Sequence, residues 1–161
     1  MNNITVQKDL ESLTMTFVAE FDAPVERVWQ VWEDPRQLER WWGPPGWPAT
    51  FTRHDFAVGG ESRYYMTGPD GEKSSGWWEM TAIDAPHRLA FDDGFADDNG
   101  QPLRDSMVTT MTVTLEDIGG RTRMTNTGRF SDTAEFEKML GMGMEEGMKL
   151  AVGQIDAILA G

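Results

Sequence analysis

The sequence has no cysteine among its 161 residues. That excludes a disulfide framework, a thiolate zinc site and a cysteine nucleophile. Basic residues are scarce: 14 Lys and Arg stand against 27 Asp and Glu, a formal charge of −13. Such a balance repels phosphate backbones and anionic lipid surfaces, so no nucleic-acid partner is expected. No apolar run is long enough to span a bilayer, and no membrane insertion is expected. The opening stretch MNNITVQKDLESLTM lacks a basic region followed by an apolar run. It does not read as a signal peptide, and the expected location is cytoplasmic. Internal repeats and low-complexity linkers are missing as well. Only two histidines occur, His54 and His87, far apart and without a carboxylate at i+4, so no metal site is expected.

Cofactor signatures also fail. Gly141-x-Gly143-x-x-x-Gly147 has the wrong spacing for a dinucleotide fingerprint. Gly71-Glu72-Lys73-Ser74 lacks the adjacent Gly-Lys of a phosphate loop. Aligning Gly100 with the glycine of a calcium loop puts Phe95 and Ser106 at ligand positions, which neither suits. No cofactor is expected. The neighbouring carboxylates Asp92 and Asp93 open an acidic stretch, to Gly100, that reads as a solvated loop.

What is present reads as one globular domain over residues 1–161, with 39% hydrophobic and 25% charged residues. Leu13, Met15, Phe17, Ala19 and Phe21 alternate as in a half-buried strand. Asp22-Ala23-Pro24 opens a helix on which Val25, Val28, Trp29 and Trp32 recur at helical spacing. Asp34-Pro35 starts a second, short helix with Asp34 as its cap. Segments near 49–56, 61–67, 74–83, 88–93, 106–116 and 121–129 read as strands joined by short turns, which implies an antiparallel meander. From about Asp132 to Leu159 an apolar stripe predicts one long helix of roughly 40 Å. Three glycines interrupt it between Gly141 and Gly147; they predict either bending and added space or close helix–sheet packing. A curved sheet with one apolar face needs a cover, and the long helix is the element large enough.

Five stretches then carry a resemblance: FDAPVERVWQVWEDPRQLERWWGPPG, VGGESRYYMTGPDGE, GWWEMTAIDAPHRLAF, VTLEDIGGRTRMTNT and GMEEGMKLAVGQIDAIL. In this order the chain resembles the START-like (SRPBCC, Bet v 1-like) helix-grip superfamily. Within it, the chain is similar to the AHSA1-like branch, named after the activator of the heat-shock-protein-90 ATPase. The resemblance implies an α+β helix-grip fold. A curved antiparallel sheet of six to seven strands wraps around a long C-terminal helix, with two short helices after the first strand. It also implies an internal cavity between sheet and helix. Members include ligand carriers, polyketide cyclases and stress-response proteins.

Strand parity nominates the cavity wall. Thr52, His54 and Phe56 share one face, as do Ser62, Tyr64 and Met66, and Thr122, Met124 and Asn126; Trp78 and Met80 come from the middle strand. His54, Ser62 and Asn126 are polar where relatives carry aliphatic, aromatic or apolar residues. Met144 and Met148 face the cavity from the helix, Met148 where relatives commonly place a tryptophan. In ERWWGPPGW, Trp41 and Trp42 read as structural and Trp47 as a rim residue. The expected ligand is therefore a small hydrophobic or aromatic molecule held by Trp47, His54, Ser62, Tyr64, Trp78, Met80, Asn126, Met144 and Met148. Catalysis of cyclase or hydrolase type is the alternative, with His54 as the single candidate base; the competing role for His54 is a hydrogen-bonded core residue. A chaperone-regulator or stress-response interaction role is the third reading. Exposed tryptophans would favour a homodimer.

Overall fold

The computed structural model describes residues 4–105 and 107–160. The first three residues of the N-terminal stretch, and Ser106 at the expected start of a strand, lie outside them. The element order is β1 (Thr5–Asp9), β2 (Thr14–Phe21), α1 (Val25–Glu33), α2 (Pro35–Leu38), β3 (Ala49–His54), β4 (Glu61–Thr67), β5 (Lys73–Asp84) and β6 (Arg88–Phe95). It continues with β7 (Thr109–Asp117), β8 (Thr122–Arg129), α3 (Thr133–Gly141), α4 (Met144–Val152) and α5 (Ile155–Ala160). All eight strands form one antiparallel sheet in the order β1-β2-β8-β7-β6-β5-β4-β3. The sheet therefore has eight strands, not six to seven. The additional one, β1, pairs with β2 but carries the polar, largely exposed sequence TVQKD, which has no alternating apolar signal.

The inner face follows from alternation. Met15, Phe17, Ala19 and Phe21 of β2 are buried, as are Met111, Val113 and Leu115 of β7. Helix α1 buries Val25, Val28, Trp29, Val31 and Trp32. At its N-terminus the sequence offers Asp22 as a cap, but Pro24 takes the cap position without a side-chain bond, and Asp22 pairs with Arg121 at 2.7 Å. Helix α2 is capped by Asp34, whose carboxylate accepts from the Arg36 N–H at 2.9 Å and from Gln37 Nε2 at 3.0 Å.

Trp41 and Trp42, just beyond α2, are buried against Trp32, with ring centroids 4.7 Å and 6.2 Å away. Trp41 donates its indole N–H to the Val31 carbonyl at 2.9 Å. Trp42 meets Trp78 edge-on at 4.8 Å, and Trp78 stacks on Phe91 at 4.1 Å. Six of the seven tryptophans are buried and Trp47 is half-buried. Trp29, Trp32, Trp41, Trp42 and Trp78 thus build the core, and Trp47 alone among the tryptophans is partly exposed.

The C-terminal helix does not run unbroken for 40 Å. It is divided at Met142–Gly143, where Gly143 takes the left-handed conformation (φ 83°), and again at Gly153–Gln154. A Cβ at Gly141, Gly143 or Gly147 would meet nothing within 4 Å. The glycines therefore provide bending and space; close packing does not require them. Among the described residues no helix is long and apolar enough to cross a membrane.

The two kinds of glycine should separate by mutation. Gly143→Ala should destabilise the protein by about 1 kcal/mol, because alanine is strained at positive φ. Gly141→Ala, at a helical position with free space, should stabilise it by about 0.5–1 kcal/mol. Urea denaturation of both variants measures the difference.

Candidate functional site

Between the sheet and the α3–α4 bend lies a pocket of about 200 Å³, open to solvent on one side. Trp42 and Pro44 close one end; Tyr64, Met66, Ser74, Ser75, Asp93 and Phe95 come from β4, β5 and β6; Met139, Met144, Gly147, Met148 and Ala151 come from the helices. A second chamber of about 40 Å³ lies under β2, β7 and β8, lined by Met15, Phe17 and Phe130 among others. Asp93, Met139, Met144 and Met148 line both chambers and so form the partition between them. Wider hollows of about 330 Å³ and 270 Å³ occur beside the proline turn and beside Leu103 and Met142. Neither sets a carboxylate against a tyrosine.

That pair is the centre of the site. Tyr64 donates its hydroxyl proton to Asp93 Oδ1 at 2.9 Å. The two residues sit on strands that are not neighbours, since β5 runs between β4 and β6. Tyr64 lies opposite Gly76 of β5, and a Cβ on Gly76 would collide with Cζ and Oη of Tyr64. The missing side chain is what lets the phenol cross a strand. Phe51 stacks on the Tyr64 ring at 5.0 Å and holds it there.

Asp93 lies opposite Trp78 on β5 and Thr109 on β7. It is not in a solvated loop, as the acidic run around it suggests: β6 extends to Phe95 and turns Asp93 inward. The side chain keeps partial access to the pocket but is otherwise surrounded by protein. Burial pushes its carboxyl up from 3.8 to about 7, opposed by the Tyr64 hydroxyl and by the Trp78 indole. The indole N–H groups of Trp78 and Trp42 bias the protons of this pair without forming hydrogen bonds of ordinary geometry. Burial, reinforced by the Asp93 charge, raises the Tyr64 phenol well above its ordinary value. The pair is therefore one phenol that keeps its proton and one carboxyl that changes charge near neutrality.

The residues nominated from sequence divide into two groups. Tyr64, Met144 and Met148 line the pocket. Trp78 and Met80 are buried within the sheet's inner face, Trp78 directly behind Trp42. Ser62 is buried and bonded to His54, and neither is among the residues lining the pocket. His54 does face inward, but by another route: a bulge between Phe51 and Arg53 shifts the register, so Phe51 is buried and Thr52 exposed.

Both ring nitrogens of His54 are engaged. Nε2 lies 2.9 Å from the Trp32 carbonyl, and Nδ1 lies 2.8 Å from the Ser62 hydroxyl. A carbonyl only accepts, so Nε2 carries the proton and Nδ1 of the neutral ring accepts from Ser62. Burial lowers the imidazole pKa, partly offset by the bond to Trp32. His54 is thus a satisfied core residue with no free nitrogen for a substrate. Asn126 is fully buried between Phe17 and Val113, and neither of its amide atoms has a hydrogen-bond partner among the described residues. Trp47 rests on Gly68 and is not among the lining residues; Trp42 and Pro44 take the place at the pocket end expected for it. Among the described residues no group of three or more His, Asp or Glu is gathered to hold a metal.

A family model described as Activator of Hsp90 ATPase homolog 1-like protein matches residues 22–160. The chain belongs to that family. Solved structures agree with this AHSA1-like assignment. A protein from Arthrobacter aurescens is 59% identical, with a TM-score of 0.93 over 97% of this chain and 91% of the other. One from Mycobacterium smegmatis is 49% identical, with a TM-score of 0.89 over 98% and 97%. A Staphylococcus epidermidis protein shares the fold at 24% identity, with a TM-score of 0.84 over 97% and 93%. No curated protein matches the chain. In this AHSA1-like chain the sheet and C-terminal helix are those of the helix-grip fold, and the pocket lies where the two meet.

Two outcomes test the site. Because the Asp93 carboxyl is raised in the folded state, its contribution to stability is fully present below about pH 4 and is lost as the pH rises towards 7. The stability difference between the wild type and Asp93→Asn should shift in favour of the variant across that window, as read from urea melts at several pH values. His54→Ala should cost about 1–3 kcal/mol, through a lost Trp32 bond and an unpartnered Ser62 hydroxyl, while leaving the Asp93 titration seen by carboxyl-carbon NMR unchanged.

Proposed function

We propose that this protein binds a small hydrophobic or aromatic molecule in the pocket between its sheet and the α3–α4 bend. The carrying observation is the pocket itself: aromatic rings at one end, methionines on the helix side and one hydrogen-bonded polar pair on its wall. Apolar surface with a few convergent polar groups is the usual composition of a small-molecule site. Methionines adapt their shape to the occupant. Gly143 gives the covering helix a joint beside the pocket, and Gly147 leaves space within its wall.

Volume limits the occupant. About 200 Å³ is below the roughly 300–1,000 Å³ of drug-sized sites and above the roughly 150 Å³ that admits benzene. The fitting molecule has one ring, or the equivalent in aliphatic carbon, and a short substituent. A multi-ring polyketide is too large for the pocket as it stands. The cyclase reading built on His54 also loses its base, since both imidazole nitrogens are committed to the protein.

A thermal-shift screen of small aromatic and aliphatic compounds tests the reading. A ligand present at 100 times its Kd should add about 2.7 kcal/mol of stability. Gly147→Leu should fill the pocket and remove the shift while leaving the fold intact, because the added side chain starts in open space. A set of ligands whose shifts survive Gly147→Leu would place binding elsewhere and overturn the proposal.

A further inference from the structure

The pocket wall carries one carboxyl group and, among the described residues, no cationic side chain. Among the described residues that line the two chambers, Asp93 and Tyr64 are the only ionisable side chains; no lysine, arginine or histidine accompanies them. Tyr64 occupies Oδ1 of Asp93 as a donor. The groups facing Asp93 are Tyr64 from β4, Trp78 from β5, Thr109 from β7 and Met139, Met144 and Met148 from the helices. None can supply a positive charge. A buried carboxylate without a counter-ion is costly, and none of the described residues lining the chambers supplies one. The walls are also compatible with a cation: the aromatic residues Trp42, Tyr64 and Phe95 line the pocket, and methionine sulfur is polarisable. The formal charge of −13 draws cations towards the protein and repels anions.

We infer that the occupant is a small apolar amine in its ammonium form, its hydrocarbon part among the rings and methionines and its N–H groups donated to the carboxylate of Asp93. Tyr64 acts as the positioning residue: it fixes the carboxylate's rotamer across Gly76 and leaves the second oxygen for the ligand. This rests on the binding role proposed above and names the chemistry of that site. A neutral or anionic aromatic would meet the same walls without the ion pair, and an anion would oppose the charge of Asp93. Binding of the ammonium selects the ionised carboxyl. Its affinity should therefore rise with pH through about 7 and level off above.

Titration calorimetry with phenethylamine, 2-phenylethanol and 3-phenylpropionate, which share one ring and differ in head-group charge, tests this. At about pH 8 the amine should bind at least ten-fold tighter than the alcohol, with the carboxylate compound weakest. Lowering the pH to about 6 should weaken the amine about ten-fold, following the ionised fraction of a group titrating near 7, and leave the alcohol unchanged. Asp93→Asn, its folding checked by thermal melt, should erase the preference for the amine and retain the alcohol. Equal binding of amine and alcohol at pH 8, or a preference that survives in Asp93→Asn, overturns the amine assignment and leaves the pocket as a neutral apolar site. No binding of any of the three probes to the wild type overturns it as well; the wider screen with Gly147→Leu then decides separately whether the pocket binds at all.

Discussion

The inner face of this sheet has to be covered, and the helices cannot do it alone. Eight strands at about 4.8 Å each make a surface roughly 38 Å across, whereas a helix with its side chains is about 10 Å wide. Two devices meet the need. The sheet curves around the C-terminal helix, and tryptophans fill the end where the short helices sit. Trp32, Trp41, Trp42 and Trp78 form one contiguous set of ring contacts. Each ring replaces covering that would otherwise need another element. The pocket lies at the boundary between these two kinds of cover, with Trp42 on one side and the methionines of the bent helix on the other. Its position follows from how the coverage problem is solved.

Within that boundary the polar pair depends on a glycine. At Gly76 the sheet gives up a side chain within its longest strand, which costs backbone entropy. In return the Tyr64 phenol reaches the Asp93 carboxyl across β5. The carboxyl is raised because the surroundings that hold it are apolar, and it is kept from rising further by the Tyr64 hydroxyl and the Trp78 indole. Geometry and proton affinity thus have a common source in the crossing of one strand.

Much of the architecture is legible in the sequence because periodicity reports burial. The alternation in β2, β7 and β8 and the helical spacing in α1 place those elements correctly. Where one face is not apolar the signal fails, as in β1. The site is less legible. Asp93 sits in DDGFADDNG, which local composition cannot distinguish from a solvated loop. A signal was present nonetheless: Leu89 and Phe91 set a parity that, carried two residues further, points Asp93 inward with Phe95 after it. Gly76 carries no local mark, because its role appears only when Tyr64 is placed opposite it by register. His54 was assigned to the inner face by simple alternation and reaches it only through a bulge that alternation does not foresee. Trp47 failed for another reason: side-chain direction after a proline turn is set by tertiary contact, here with Gly68.

The family assignment and the site answer different questions. Five motifs in order, and solved relatives at 59% and 49% identity, settle the fold. They do not settle the chemistry, because one fold hosts unrelated functions. The chemistry has to come from the pocket's own balance of charge. This acidic protein places one carboxyl among aromatic rings and thioethers, with no basic side chain among the described residues that line the walls. With the carboxyl titrating near neutrality, the empty protein can avoid the cost of that charge by holding a proton. A cationic occupant makes the proton unnecessary. The same low-polarity walls that penalise the lone carboxylate would strengthen its attraction for an ammonium, so the amine proposed above draws on the same arrangement that raises the pKa.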